Sequence, residues 1–578
     1  MLTRLRIRNF KRFDDVEIEL GKAVVLIGPN NSGKTTALQA LALWDIGVRR
    51  WNEKRKGTAS PKKRPGVTIN RRDLISIPVP DASSLWRDLH VRNVQHEEVN
   101  GKRQPKTENI RIDIVVDGIT NDRPWSCGLE FDYANEESLY CRPLRSVDSA
   151  ASRMEVPDEV GDVRVAFLPP MSGLAAVEPK WEPGRINVLL GEGQTAQVLR
   201  NLCFQIYSSR PEPPLDWGAL VDHMHRLFGV ELLPPAYVAE RGEITMAYKQ
   251  RGTRLDLSSS GRGLQQTLLL LAHLYANPRT VLLLDEPDAH LEILRQRQIY
   301  KLLTETAENQ GSQVIAASHS EIVLNEAADR DVVVAFVGQP HRVDDRGSQV
   351  LKALRDIGFD HYYQAEQTGW VLYLEGSTDL AILQAFARTL DHEAQRYLER
   401  PFVHYVATNL PSRAREHFRG LFEAKGDLVG IAIFDRLDSQ LQANTPLTEL
   451  MWERREIENY FCHERVLLAY ARYDLPDDLF GDAEQAKRTE AMSNAIQEIS
   501  NALRTLGKPD PWSADIKATD DFLDPLFKSY FKKLDLPLKL RKSDYHVLAG
   551  LVPQGEIASE VSAKLDAILS VAKRAVPR

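Results

Sequence analysis

Apolar and polar residues alternate along LTRLRIRNF, residues 2–10, and again along VEIEL, residues 16–20. That two-residue period predicts half-buried strands. KAVVLIG, residues 22–28, is a short and more continuous apolar strand, as are TVLLLDEP at 280–287 and QVIAASHS at 313–320. TTALQALALW, residues 35–44, predicts a helix after the first of these. Near residue 360 the pattern restarts. GWVLYLEGSTDLAILQAFARTL (369–390) reads as a strand and an amphipathic helix; FVHYVAT (402–408) and DLVGIAIFDRLDS (427–439) read as two further strands. Strands alternating with helices in both halves predict an α/β protein. At 578 residues the chain exceeds one ordinary core, and we divide it into 1–360 and 361–578.

The turn after the third strand carries the first chemistry. Gly28-Pro29-Asn30-Asn31-Ser32-Gly33-Lys34-Thr35, followed by Thr36, fits G-x-x-x-x-G-K-[ST] between a strand and a helix. Its glycines let backbone N–H groups turn toward phosphate oxygens, Lys34 reaches the β- and γ-phosphates, and Thr35 suits Mg²⁺. The helix N-terminus adds to the attraction for an anion. TVLLLDEP ends in Asp285, placed to hold a Mg²⁺-bound water, and Glu286, placed to polarise the attacking water. QVIAASHS ends in His319, a candidate sensor of the γ-phosphate. The cofactors expected are ATP and Mg²⁺.

Composition narrows the remainder. Net charge is −7, so nucleic-acid contact has to come from local patches. One such patch is Arg49 to Arg72, where ten of 24 residues are Lys or Arg and one is acidic; a solvated loop has the same composition. The four cysteines form no CxxC pair and suggest neither zinc nor disulfides, which fits a reducing, cytoplasmic setting. No run of about 18 apolar residues suggests a membrane span.

The second half places acids at strand ends, where catalytic groups of a parallel sheet collect. Glu375 and Asp435 end two strands, and MWERREIENYF (451–461) adds Glu456 and Glu458. Carboxylates gathered this way repel one another unless a divalent cation lies among them, and oxygen ligands suit Mg²⁺ or Mn²⁺. Surface pairing with Arg436, Arg454 and Arg455 is the bland alternative.

The motif order in the first half resembles ABC-type ATPases. LSSSGRGLQQTLLLLAHL, from Leu257, stands where their signature loop does, with Ser260, Gly261 and Gly263 in an S-G-x-G variant. RIRNFKRF before the phosphate loop, and DEPDAHLE after the acidic strand, resemble the SMC/RecF-like branch. The resemblance implies ATP held between two chains, hence a homodimer or larger. It also implies insertions, one at about 45–110 and a helical dimerisation insert at about 195–235.

The second half resembles the Toprim fold. LEGSTD matches its glutamate motif, with Asp379 as the helical acid, and IFDRLD matches its aspartate motif with the second acid, Asp438, shifted by one. REIENY resembles the segment completing the metal site in overcoming-lysogenization-defect (OLD) nucleases. That family implies a late catalytic lysine, Lys542 or alternatively Lys539. An SMC/RecF-like ATPase followed by Toprim is the architecture of OLD-family, Gabija-type and retron-associated effectors of phage defence. It implies an ATP-regulated endonuclease acting on DNA more than RNA, with a separate defence protein or retron as a further partner. Two alternatives stay open: a PARIS-like effector cutting transfer RNA, and a non-catalytic ATP switch recruiting another effector.

Overall fold

The alternating N-terminal segments pair as an antiparallel sheet in the order Phe13–Glu19, Leu2–Phe10, Ile112–Thr120, Arg123–Asn135, Ser138–Pro143, Val67–Asn70. The continuous apolar strands form a second sheet, ordered Val165–Leu168, Val281–Asp285, Gln313–Ser318, Ala23–Ile27, Val332–Ala335, His341–Arg342. All its pairs are parallel except the last. In this computed structural model, described for all residues except 56–65, 100–101, 146–152, 209–214, 329, 344–356, 407, 439, 443–445, 474–478 and 578, these sheets belong to a unit of residues 1–351. Residues 352–578 form a second unit.

The parallel strands are apolar on both faces because both faces are covered. Val24, Leu26, Leu283 and Ile315 join a core with the helix Lys34–Arg55 and the antiparallel sheet. Leu282, Leu284, Val314 and Ala316 join another core, with the helices Leu199–Tyr207, Leu215–Phe228 and Arg262–Ala276. The helix Lys34–Arg55 therefore lies between two sheets. Its Trp44 is fully buried, stacks on Trp125 and donates Nε1–H to the Cys127 carbonyl at 3.0 Å. Truncating such an aromatic costs about 3–5 kcal/mol.

Two expected boundaries shift. The first helix runs ten residues past Asp45 to Arg55, because Trp44, Gly47, Val48 and Trp51 continue its buried face. Within the basic run, residues 56–65 lie outside the described residues. At its flanks Arg49 pairs with Asp45, Arg50 with Glu53 and Asp73, and Arg71 with Glu137. The helices within 195–235 are part of the lobe core, with Leu199, Leu202, Leu220 and Met224 buried against this chain's own helix Arg262–Ala276.

The second unit is built on a four-stranded parallel sheet ordered Val403–Tyr405, Trp370–Leu374, Val429–Phe434, Leu447–Met451. Leu372, Leu374, Ile431 and Ile433 face a large core containing the helices Ser377–Thr389 and Ser559–Lys573. The helices Phe359–Thr368 and Pro411–Ala424 pack near the same strands, and the helices Leu479–Thr505 and Asp524–Lys533 complete the unit. All four cysteines are buried and free. Among the described residues no helix is long and apolar enough to cross a membrane.

Candidate functional site

In the first unit, parallel register brings the turn after Ile27 beside the ends of two other strands. Ser318 is opposite Ile27, and Asp285 is opposite Ala317. The turn needs left-handed backbone: φ is +61° at Asn31 and +108° at Gly33. A Cβ on Gly33 would lie 2.9 Å from Arg12 Cδ and from the Phe13 ring, so only glycine fits. The Arg12 guanidinium donates to the Asn31 carbonyl from above the loop. Lys34 is buried, and its Nζ donates to the carbonyls of Gly28 and Pro29, both at 2.7 Å. Burial lowers the pKa of Lys34, against the pull of Asp285, Glu286 and Asp288. The Ser32 hydroxyl is buried without a partner.

Thr35 Oγ1 lies 2.9 and 3.1 Å from the two Asp285 carboxylate oxygens, a geometry suited to sharing one Mg²⁺. Burial, and Glu286 beside it, push Asp285 up to about 6, while the Thr35 hydroxyl and Lys34 hold it down. Glu286 sits at φ +50°, a strained conformation for a non-glycine residue at a strand end. The buried Asp288, with Oδ1 unpartnered, was not singled out from sequence; only its place after the Asp-Glu pair could have marked it. His319 is exposed directly after its strand, Asn30 is exposed, and Thr36 lies in the first helical turn. Ser260 donates to the Leu257 carbonyl at 2.6 Å, and Gly261 is the exposed N-cap of the helix Arg262–Ala276, which contains Gly263. A phosphate group fits the first turn; the S-G-x-G turn presents its backbone outward.

In the second unit, Glu375 and Asp435 follow adjacent parallel strands, and Glu456 and Glu458 follow the next one. The 3₁₀ turn Ile457–Tyr460 is fixed by Asn459, whose Oδ1 accepts from Glu456 N at 2.9 Å and whose Nδ2 donates to the carbonyls of Ser513 and Ile516. This buries Glu458 to 2% exposure, leaving its Oε1 with no hydrogen bond and Lys542 Nζ 3.8 Å away. Lys542 lies in its own 3₁₀ turn, Lys542–Asp544, whereas Lys539 is exposed elsewhere on the same segment.

The electrostatics follow from the crowding. Burial first, then Glu458, Asp379, Glu375 and Glu456, push Asp435 up to about 8. Burial and Glu456 push Glu458 up to about 7 against Lys542. Burial works against a charged Lys542, yet Glu458, Glu456, Asp379 and Glu375 together raise its pKa. Asp379 and Glu456 are raised by burial too, but each is partly satisfied locally. Asp379 Oδ2 accepts from the N–H groups of Glu375 and Gly376, and Glu456 Oε1 accepts from Thr519 N at 2.8 Å. Asp438 is exposed and is not among the carboxylates acting on Asp435, so the structure separates it from the cluster. Glu375 is the exposed member.

A buried carboxylate oxygen with no hydrogen bond, amid four other acids and only one distant ammonium, fits a divalent cation. No three carboxylate oxygens here come within 4.8 Å of one another, so the acids stand wider than a filled shell. Linkage gives a test. Asp435 and Glu458 bind protons more tightly folded than unfolded. Their contribution to stability is therefore complete below the ordinary carboxylate range, about pH 4, and is lost as pH rises through about 7 to 8. The metal-free second unit should melt at progressively lower temperature from pH 5 to pH 8 (roughly the span between these pKa values). Mg²⁺ or Mn²⁺ should raise the melting temperature more at the alkaline end, and Asp435→Asn should flatten both trends in scanning calorimetry.

Comparison with known proteins supports the first unit's chemistry. Residues 203–325 match a family model described as "AAA domain, putative AbiEii toxin, Type IV TA system", and residues 1–45 match one described as "AAA ATPase domain". The chain is 44% identical over 43 residues to an OLD nuclease of Thermus scotoductus, covering 7% of this chain and 8% of that protein. It is 37% identical over 100 residues to a probable D,D-dipeptide transport ATP-binding protein of Escherichia coli, covering 17% of this chain and 31% of that protein. The chain thus spans less than a third of the length of either curated relative. Among solved structures, the SMC head domain of Thermotoga maritima is similar at TM-score 0.32 and 15% identity, over 59% of this chain and 98% of that one. The ATP-bound recombination mediator RecF is similar at TM-score 0.31 and 13% identity, over 59% and 99%. The first unit carries an ATPase domain of the AAA/ABC kind.

Proposed function

We propose that the chain is an ATP-regulated, divalent-metal-dependent endonuclease with a Toprim second domain, acting in defence against phage. The observation that carries this reading is Glu458, a buried carboxylate with one oxygen that accepts no hydrogen bond, set among Glu375, Asp379, Asp435 and Glu456 with Lys542 in a long ion pair to that oxygen. Lys542 Nζ, 3.8 Å from that oxygen, offsets its charge but stands too far to hydrogen-bond to it, and a buried acid left so is suited to taking a cation. Mg²⁺ or Mn²⁺ bound here supplies charge neutralisation and water activation for phosphodiester hydrolysis. Asp435, Glu456 and Glu458 are the holding ligands, and Asp379 fixes the turn after Glu375 through its backbone bonds. Glu375, the exposed acid, is placed to take a proton from an incoming water. Lys542 offers a positive charge to the phosphate.

ATP enters as the regulator. The exposed Gly261 and Arg262 at the S-G-x-G turn suit a nucleotide shared with a second copy, so nucleotide state sets the dimer geometry and through it the activity. DNA is the favoured substrate class. A second reading, a non-catalytic ATP switch, draws on the exposure of Asp438 and the spread of the acids. The test is incubation of the purified chain with duplex DNA, single-stranded DNA and RNA including transfer RNA, with Mg²⁺ or Mn²⁺, with and without ATP. Cleavage of DNA is expected. Cleavage confined to transfer RNA moves the substrate, and no cleavage under any condition moves the reading to the switch.

A further inference from the structure

Near the carboxylates, but facing away from the large core, three histidines converge from three separate elements. His361 comes from the helix Phe359–Thr368, His404 from the strand Val403–Tyr405 and His417 from the helix Pro411–Ala424. A ring nitrogen of each lies within 4.8 Å of those of the other two, and no other described group of His, Cys, Asp or Glu achieves this. His361 Nδ1 and His417 Nε2 are 2.9 Å apart. We propose that His361, His404 and His417 form a Zn²⁺ site, chemically distinct from the carboxylate cluster.

Three features of the geometry support it. Zn²⁺ takes imidazole nitrogen at about 2.0–2.1 Å, which sets nitrogens of a tetrahedral shell about 3.3 Å apart. The 2.9 Å pair and the 4.8 Å limit bracket that spacing. Second, the His417 ring is oriented from behind. Its Nδ1 lies 2.9 Å from the hydroxyl of buried Tyr373, so Nδ1–H can donate to that oxygen while Nε2 turns toward the ion. A hydrogen bond on the far nitrogen is how ligating histidines are normally fixed. Third, the ring centroid of His361 lies 5.3 Å from that of His404 and 5.0 Å from that of His417, at steep interplanar angles, so His361 approaches from a different direction.

Two adjustments are required. His404 and His417 stack at 3.7 Å and 14°, closer and more parallel than two ligands of one ion, so His404 turns out of the stack when the ion enters. His361 shifts its proton from Nδ1 to Nε2 through solvent, or already holds it there, and no net proton need be released. Imidazole nitrogen selects zinc-like ions, whereas the carboxylates select Mg²⁺ or Mn²⁺. The bound ion would tie the helix Phe359–Thr368 to the strand Val403–Tyr405 and the helix Pro411–Ala424, behind which Tyr373 stands two residues before Glu375.

The experiment uses the full chain, stripped with chelator and titrated with Zn²⁺ alone. We expect one tightly held Zn²⁺ per chain by elemental analysis, and visible d–d bands of a nitrogen-rich site with Co²⁺. His404→Gln and His417→Gln should each lose that equivalent, while a Glu375→Gln/Asp435→Asn chain should keep it. Because a histidine variant could misfold, the wild type carries a second readout. Zn²⁺ should protect His361, His404 and His417 from diethyl pyrocarbonate, measured by peptide mass. A folded wild type that binds no Zn²⁺, or one whose three histidines stay equally reactive when Zn²⁺ is bound, overturns the site. Retention of the ion by both variants does the same. Neither readout depends on nuclease activity, so failure here is separable from failure of the proposed function.

Discussion

Asp435→Asn and Glu458→Gln should each slow nucleic-acid cleavage by roughly 10²–10⁴-fold, the equivalent of the several kcal/mol that a metal supplies in hydrolysis. The two variants fail for different physical reasons. Asp435 is the carboxylate most acted on by its neighbours, with Glu458, Asp379, Glu375 and Glu456 all raising it. Its amide analogue removes one negative charge from the centre and lowers repulsion, so the protein should become more stable at alkaline pH while losing affinity for the ion. Glu458 is buried with an oxygen that accepts no hydrogen bond. Glu458→Gln keeps the volume and lets the amide find partners, so folding should survive there too. ATP hydrolysis should stay within about twofold of wild type in both, since its catalytic groups belong to the other unit and changes that share no partners usually act independently. The measurement is cleavage and phosphate release on the same preparation. Wild-type cleavage by either variant would remove the cluster from the mechanism.

Lys34→Ala should abolish nucleotide binding, and Glu286→Gln should preserve binding while slowing hydrolysis by about 10²-fold or more, the scale expected when a group orienting the attacking water is lost. The turn wraps Lys34, and its alanine variant takes a donor from the carbonyls of Gly28 and Pro29, leaving Pro29 only the Ser32 N–H. The Glu286 variant should also trap the nucleotide-shared dimer, visible as an ATP-dependent shift in sedimentation. Equal hydrolysis by Glu286→Gln and wild type would assign the water-polarising role elsewhere, with the buried, unpartnered Asp288 as the next residue to test.

The legible parts of this chain were those written in local sequence. The phosphate turn is contiguous, its glycine and lysine spacing is dictated by one ligand, and the flanking apolar strands have the pattern of a covered parallel sheet. The acids at 375, 435, 456 and 458 could be proposed because strand ends carry them together. What could not be read was three-dimensional. Nothing in LFGDAEQAKRTEAMSNAIQEISNALRT announced that the helix Leu479–Thr505 belongs to the same core as the sheet, and the strand Leu447–Met451 was hidden between loops. Asp438 stands one place off the aspartate motif, and it takes the fold to expose it while gathering Asp435. The histidines at 361, 404 and 417 are separated by 43 and 13 positions, and no spacing rule joins residues that a sheet and two helices bring together.

The surroundings of the lysine of the phosphate turn also favour one form of the nucleotide over another. Lys34 is already coordinated by two peptide carbonyls, so occupancy is an exchange of ligands around one ammonium and not the capture of an anion by a free charge. The turn spends little ordering entropy in that exchange. Asp285, Glu286 and Asp288 surround the same ammonium with three carboxylates. A bare polyphosphate approaching them meets like charge, whereas the magnesium salt presents a cation to Thr35 and Asp285 and a screened anion to Lys34. The local field should therefore favour the metal salt over the free nucleotide, so that nucleotide binding by the first unit is expected to follow the available Mg²⁺ as much as the nucleotide concentration.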